Sequence, residues 1–371
     1  MKAEQSRSKV SALATLRSRG HISLPFRTGY LLVCSLNFAA PHVRIKSMTP
    51  QRRKILIDTD TASDDAVALI MALRSPLVEV VAITIVAGNV SVDQGTRNAL
   101  CTVELCGSDV PVYTGAAQPL TRTLETAQWF HGADGLGDHG YVPHRRTAEF
   151  MHAVDAIVST VIANPGIEII TLGPLTNLAL ALQRDPGIVS NISRCVVMGG
   201  APCCEGNVTP AAEFNIWVDP EAARIVFRSG LPIELIGWQL SRYDAAVNPA
   251  DIAQILALNT PLADFAINCN SAGAAAYKIQ TGEEGISLPD PIAMAILLDP
   301  ALSLDSSKHL VEIETTSDLT RGMTVVDRLG VNNDDRNRLI WADTRTHALP
   351  SDICWKLHVP GWKNALIDAL R

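Results

Sequence analysis

Lys54-Ile55-Leu56-Ile57-Asp58-Thr59-Asp60-Thr61-Ala62-Ser63-Asp64-Asp65-Ala66 is the stretch on which the reading turns. Ile55-Leu56-Ile57 is a short apolar run, as a strand buried on both faces requires. Residues 66–74 read as a helix, with Ser63 placed to cap it and Asp64 and Asp65 in its first turn, where acids meet the positive end of the helix dipole. Asp58, Asp60, Asp64 and Asp65 put four carboxylates within eight residues, with no base among them. Like charges this close are costly in a partly desolvated site. An acidic helix start accounts for Asp64 and Asp65 but not for Asp58 and Asp60 on the strand end. A hard cation would account for all four, because Ca²⁺ and Mg²⁺ favour oxygen-only donor sets.

Outward from this block, strand and helix alternate. Strands are expected at 78–86, 110–113, 167–172, 195–198 and 233–236, with helices at 95–106, 153–163, 175–183 and 220–229. A loop rich in Gly and His spans 128–141. Helices follow at 249–257, 262–278 and 291–297, then strands near 310–314, 323–327 and 339–342 and a C-terminal helix. Repeated βα units predict the α/β class, with an open, mostly parallel, Rossmann-like sheet and helices on both faces. In such sheets ligands bind beyond the carboxyl ends of the strands. The unusual residues fall there: Gly88-Asn89, Leu172 to Asn177, Met198-Gly199-Gly200, Asn207, Glu213-Phe214-Asn215, and Asp290 between two prolines.

The chain has 371 residues, 47% of them hydrophobic and 19% charged, with a net charge of -7. That composition excludes a disordered chain. The acidic balance argues against nucleic acid as a partner, and no apolar run is long enough to predict a transmembrane helix. Residues 1–47 carry eight Lys/Arg against Glu4 alone. They read as an N-terminal extension outside the fold, through an upstream start or a targeting segment, and 48–371 as one domain. The eight cysteines form no C-x-x-C, so reduced thiols and a cytoplasmic setting are expected. Cys203-Cys204 beside Glu205 is the one pair with a reactive reading.

Two other metal motifs fit poorly. An EF-hand beginning at Asp58 would need Gly and Glu where Ser63 and Leu69 stand. A haloacid-dehalogenase-type phosphotransferase, using Mg²⁺, would take Asp58 as nucleophile and Asp60 as acid/base, but it wants Thr or Val where this chain has Ala62.

The ordered blocks resemble the nucleoside hydrolase family, the inosine-uridine preferring N-ribohydrolases. The resemblance runs from residue 54 to about 300. It rests on Asp58 to Asp65, Gly88-Asn89, His131-Gly132 with Gly135-Leu136-Gly137, Leu172 to Asn177, Met198-Gly199-Gly200, Asn207 to Pro210, Glu213-Phe214-Asn215 and Asp219 to Ala223. It implies hydrolysis of the N-glycosidic bond of ribonucleosides to base and ribose. It further implies one Ca²⁺ held by Asp60, Asp65, Asp290 and the Leu172 carbonyl, with Asp58 supporting the loop. Asp64, Asn89, Asn207, Glu213 and Asn215 would hold the ribose, with Met198 packed beside it. A homodimer or homotetramer is also implied.

Glycosidic cleavage passes through an oxocarbenium-like state that a carboxylate-rich pocket favours. Water on Ca²⁺ would be activated by Asp60 as general base, and 2′-deoxynucleosides would be discriminated against. The chain departs from the family at the leaving group: members carry a His before the last Asp ligand, and here that position is Pro289. His131 is the expected replacement acid, with Tyr277 and Cys269 behind it, and Trp217 is expected to stack on the base. A ribonucleoside binder that has lost catalysis is the other reading left open.

Overall fold

The computed structural model describes residues 52–371, and the readings made for 1–47 lie outside them. The chain begins with β1 (Arg53–Thr59), α1 (Ser63–Arg74), β2 (Val78–Ile85), α2 (Val92–Leu105), β3 (Val112–Thr114) and the short α3 (Gln128–His131). It continues through α4 (Ala153–Ala163), β4 (Ile167–Thr171), α5 (Thr176–Arg184), β5 (Ile192–Met198), α6 (Phe214–Val218), α7 (Pro220–Phe227) and β6 (Ile233–Ile236). Then come α8 (Pro249–Leu256), α9 (Pro261–Cys269), α10 (Ser271–Thr281) and α11 (Pro289–Leu298). The last part holds β7 (Ser303–His309), β8 (Val311–Ile313), β9 (Thr324–Val326), α12 (Ala342–His347), β10 (Ser351–Leu357) and α13 (Val359–Ala369).

Eight strands form one sheet in the order β3-β2-β1-β4-β5-β6-β10-β7, and β8 and β9 form a separate antiparallel pair. All pairings in the large sheet are parallel except β10 with β7. Successive side chains of a strand face opposite ways. Ile55 and Ile57 accordingly join the core beneath α1, α2, α9, α11 and α13, whereas Leu56 joins the core beneath α4, α5 and α7. The order reverses at β1, which lies between β2 and β4, so the crevice of this fold opens at the carboxyl ends of β1 and β4. No helix among the described residues is long and apolar enough to cross a membrane.

Three local expectations are corrected. Residues 262–278 are two helices, α9 and α10, parted at buried Asn270, whose Nδ2 donates to the Ser63 carbonyl at 3.2 Å. Residues 339–341 are a turn and residue 342 begins α12, with Leu339 84% and Ile340 73% exposed, so apolar character there did not signal burial. Ser63 is the first residue of α1, not its cap. Ala62 holds the cap position, and the Asp65 carboxylate accepts its N–H at 2.9 Å.

At the opposite end of the strands, Arg53 and Arg194 bind Glu168 and also donate to carbonyls of the last turn of α11, Leu297 accepting from both. Arg194 Nε further donates to Glu234 at 2.7 Å. These guanidiniums cap the helix whose first turn carries Asp290. Arg194→Ala would leave two largely buried carboxylates short of a partner and is expected to cost about 3 kcal/mol of stability. Urea unfolding of the variant beside the parent checks this.

Candidate active site

Both α1 and α11 begin at the crevice and turn their positive ends toward the same place. Prolines 289 and 291 stand at the first and third positions of α11, where the missing N–H groups have no helical partner to lose. They fix the start of the helix and hold Asp290 between them. One oxygen each of Asp64, Asp65 and Asp290 lies within 4.8 Å of the others, and all three residues are buried.

Asp60 lies next to this group, behind Asn89. Its Oδ2 accepts the Asn89 backbone N–H at 2.6 Å, and its Oδ1 accepts Asn89 Nδ2 at 3.3 Å. A Cβ on Gly88 would come to 2.1 Å from Asp60 Oδ2, and one on Gly173 to 3.0 Å from Oδ1. Only glycine leaves room for that carboxylate. The set gathered by geometry therefore has Asp64 beside Asp65 and Asp290, whereas the family resemblance implied Asp60 in that place.

Burial is the chief cause pushing these carboxyls up, and mutual repulsion adds to it for Asp60, Asp64 and Asp290. Asp64 rises to about 8. Without a counter-charge the cluster is electrostatically unfavourable, and two helix N-termini offset only part of this. Asp64 Oδ1 and Asn215 Oδ1 are buried with no hydrogen-bond partner. Orphaned acceptors in an oxygen-only set fit a hard cation and the hydroxyls of a polyol.

Asp58 serves the scaffold. Its Oδ1 accepts from Thr84 Oγ1 at 2.6 Å and Asn177 Nδ2 at 2.9 Å, tying β1 to β2 and α5. It does not line the cavity, so the phosphotransferase reading, which needs Asp58 as an exposed nucleophile, fails.

Asp64, Asn89, His131, Leu172, Met198, Asn207, Glu213, Asn215 and Asp290 all line a single cavity above the cluster. Asn215 Nδ2 donates to the Leu172 carbonyl at 2.9 Å and approaches Met198 Sδ at 3.4 Å. Glu213 caps α6, accepting the Asn215 N–H, and also accepts the Gly200 N–H at 2.7 Å. Burial nonetheless raises it to about 7. Asn207 Oδ1 accepts the Phe214 N–H at 2.9 Å, which leaves its Nδ2 as the group to offer.

Trp217 is a correction. Two residues along a helix is about 200° of rotation, so Trp217 and Asn215 face opposite ways. The indole packs under Arg321, 4.0 Å from the guanidinium carbon, outside the cavity lining. Trp129, Phe130 and Trp238 line the cavity instead. Trp238 follows the carboxyl end of β6, where the strand-end rule could have found it; Trp129, Phe130 and Gln280 on α3 and α10 gave no comparable signal.

His131 Nδ1 lies 2.8 Å from Ser63 Oγ and 3.8 Å from Asp64 Oδ1. Burial pushes it down to about 3, which favours the neutral ring beside Asp64. Tyr277 is pushed up to about 12, by burial and by its bond to Glu283. Cys269 is buried outside the cavity lining, with its thiol raised further by burial.

Solved nucleoside hydrolases share this open α/β fold. The purine-preferring ribonucleoside hydrolase from Gardnerella vaginalis superposes with a TM-score of 0.77 at 32% identity, covering 86% of this chain and 98% of that one. Residues 55–349 match the family model described as inosine-uridine preferring nucleoside hydrolase. The chain belongs to that family and is a ribonucleoside N-glycosyl hydrolase. An uncharacterized protein of Schizosaccharomyces pombe is 42% identical over 277 residues, 74% of this chain and 89% of its own length. The pyrimidine-specific ribonucleoside hydrolase RihA of Shewanella woodyi is 39% identical over 298 residues, 78% of this chain and 93% of its own.

Proposed function

We propose that the enzyme releases base and ribose from ribonucleosides in a Ca²⁺-dependent reaction, with Asp60 as general base. The observation that carries this is the buried carboxylate group beneath the cavity, with Asp64 Oδ1 and Asn215 Oδ1 left unpartnered beside it. Asp65 and Asp290 would hold the cation, with Asp60, Asp64 and the Leu172 carbonyl around it. When bound, Ca²⁺ supplies Lewis acidity toward water and the ribose hydroxyls.

The remaining roles belong to the chain's own groups. Asn89, Asn207, Asn215 and Asp64 hold the ribose and keep its anomeric carbon at a fixed height over the carboxylates. Asp64 and Glu213 favour the positive charge that develops on the sugar ring. Asp60, held against Asn89 beside the cluster, takes a proton from the attacking water. The aromatic side chains Trp129, Phe130 and Trp238 exclude solvent around the base.

The test is ribose release from purine and pyrimidine ribonucleosides, measured with and without a calcium chelator, together with the melting temperature. Turnover abolished by chelation and restored by Ca²⁺, with Ca²⁺ raising the melting temperature, is the expected result. Turnover unaffected by chelation would overturn the metal assignment. Stabilisation by inosine or ribose without turnover would favour the binder.

A further inference from the structure

Behind the cavity wall formed by Trp238 and Tyr277, three segments remote in sequence meet at one half-buried guanidinium. The Arg242 side chain is 13% exposed. Its guanidinium carbon stands 5.2 Å from the Trp238 ring centroid and 4.6 Å from that of Tyr243. Nη2 donates to Glu283 at 2.7 Å, and Nη1 donates to Glu205.

Each contact leads to the cavity. Glu283 also accepts the Tyr277 hydroxyl, and Tyr277 lines the cavity from α10. Glu205 lies two residues before Asn207, and its carbonyl accepts Trp238 Nε1 at 2.8 Å. Gln280, on α10, donates to the Asn207 carbonyl and closes the ring of contacts. Tyr243 has φ of +55°, an unusual backbone for an aromatic residue, and its N–H donates to Glu283 at 3.3 Å.

We propose that Arg242 is the positioning residue of the base-side wall, fixing Trp238, Tyr277 and the Asn207 loop in the arrangement that receives the nucleobase. This rests on the nucleoside hydrolase reading above and deepens it. The carboxylate cluster is held by other bonds, among them those from Thr59 Oγ1 and the Ala62 N–H to Asp65 and from the Asn89 N–H to Asp60, so of the groups assigned to the ribose only Asn207 is tied to Arg242. A guanidinium fits here because a planar fork can serve two carboxylates and stack on two rings at once, which an ammonium cannot. Loss of the fork leaves Glu283 and Glu205 without their cation and Trp238 and Tyr277 free to move relative to each other.

The experiment compares the parent with Arg242→Met, Arg242→Lys, Glu283→Gln and Arg242→Met/Glu283→Gln. It reads kcat and KM for uridine and inosine, inhibition by free ribose, and the melting temperature. For Arg242→Met the expected result is a KM rise of about tenfold for both nucleosides, kcat within about threefold, and a smaller rise, of about threefold at most, in the ribose inhibition constant. Arg242→Lys should fall between, and the double variant should be no worse than Arg242→Met, because one network is lost once.

An unchanged KM in Arg242→Met would overturn the proposal. So would equal weakening of ribose and nucleosides, which would mark a general structural role. If Arg242→Met fails to fold, Arg242→Lys and Glu283→Gln carry the same comparison. A parent enzyme that releases no ribose from any nucleoside would instead count against the hydrolase reading, and the two failures are distinguishable.

Discussion

Asp60→Asn is expected to lower kcat for ribonucleoside hydrolysis about a thousandfold, the usual worth of a positioned general base, without unfolding the protein. The amide is the same size as the carboxylate, so the space left by Gly88 and Gly173 still accommodates it, and its oxygen can still accept the Asn89 N–H. One of several mutually repelling carboxylates is removed, so the melting temperature should hold or rise in the absence of Ca²⁺. Asp58→Asn is the comparison. Its carboxylate bonds Thr84 and Asn177 away from the cavity, so its effect should fall on stability and little on kcat.

Asp64 is the competitor for the role of base, since its Oδ1 is unpartnered and it lines the cavity, whereas Asp60 lies behind Asn89. Activity within tenfold of the parent in Asp60→Asn, with a large loss in Asp64→Asn, would transfer the role to Asp64. Ca²⁺ affinity by calorimetry separates loss of base from loss of ligand: a base-only role lowers kcat at saturating Ca²⁺.

Much of the fold was legible because its central strands are buried on both faces and read as apolar runs. Helix α4 and strand β6 fall where the sequence put them. The far edge of the sheet was not legible. Strand β7, Ser-Leu-Asp-Ser-Ser-Lys-His, lies on an edge with most of its residues partly or fully exposed, and burial gives it no pattern to announce. Its partner β10, Ser-Asp-Ile-Cys-Trp-Lys-Leu, has only three successive apolar residues and follows 339–342, where an apolar run was mistaken for the last strand.

The sugar side of the site was legible for a related reason. Strand ends must point into the crevice, so Asp60, Asn89, Leu172 and Met198 have their direction set by the sheet. The base side is built from α3, α10 and the segment after β6. There direction depends on how helices pack, and the sequence alone suggested Trp217 over Trp238 merely because it stands near Asn215.

Pro289 sets the second large expectation. A nucleobase leaves well only if it is protonated or is stable as an anion, and a general acid is worth roughly 10²–10⁴ in rate for a poor leaving group. Where the family resemblance led to the expectation of a His, this chain presents a pyrrolidine ring at the cavity wall. The neutral His131 and the raised Tyr277 are both weak proton donors. Hydrolysis should therefore depend steeply on the leaving group. p-Nitrophenyl β-D-ribofuranoside, which needs no proton to depart, should turn over about 10³-fold faster than uridine.

Pro289→His should narrow that gap by raising uridine turnover about tenfold or more while leaving the p-nitrophenyl substrate unchanged. The first position of α11 tolerates the exchange because no helical bond depends on an N–H there: proline has none, and the N–H of a histidine would have no helical partner. Equal rates on the two substrates in the parent would mean that another group already protonates the base. His131→Asn would then be the next variant, since His131 is the cavity-lining imidazole closest to the carboxylates, and loss confined to uridine would name it the donor despite its neutral ring.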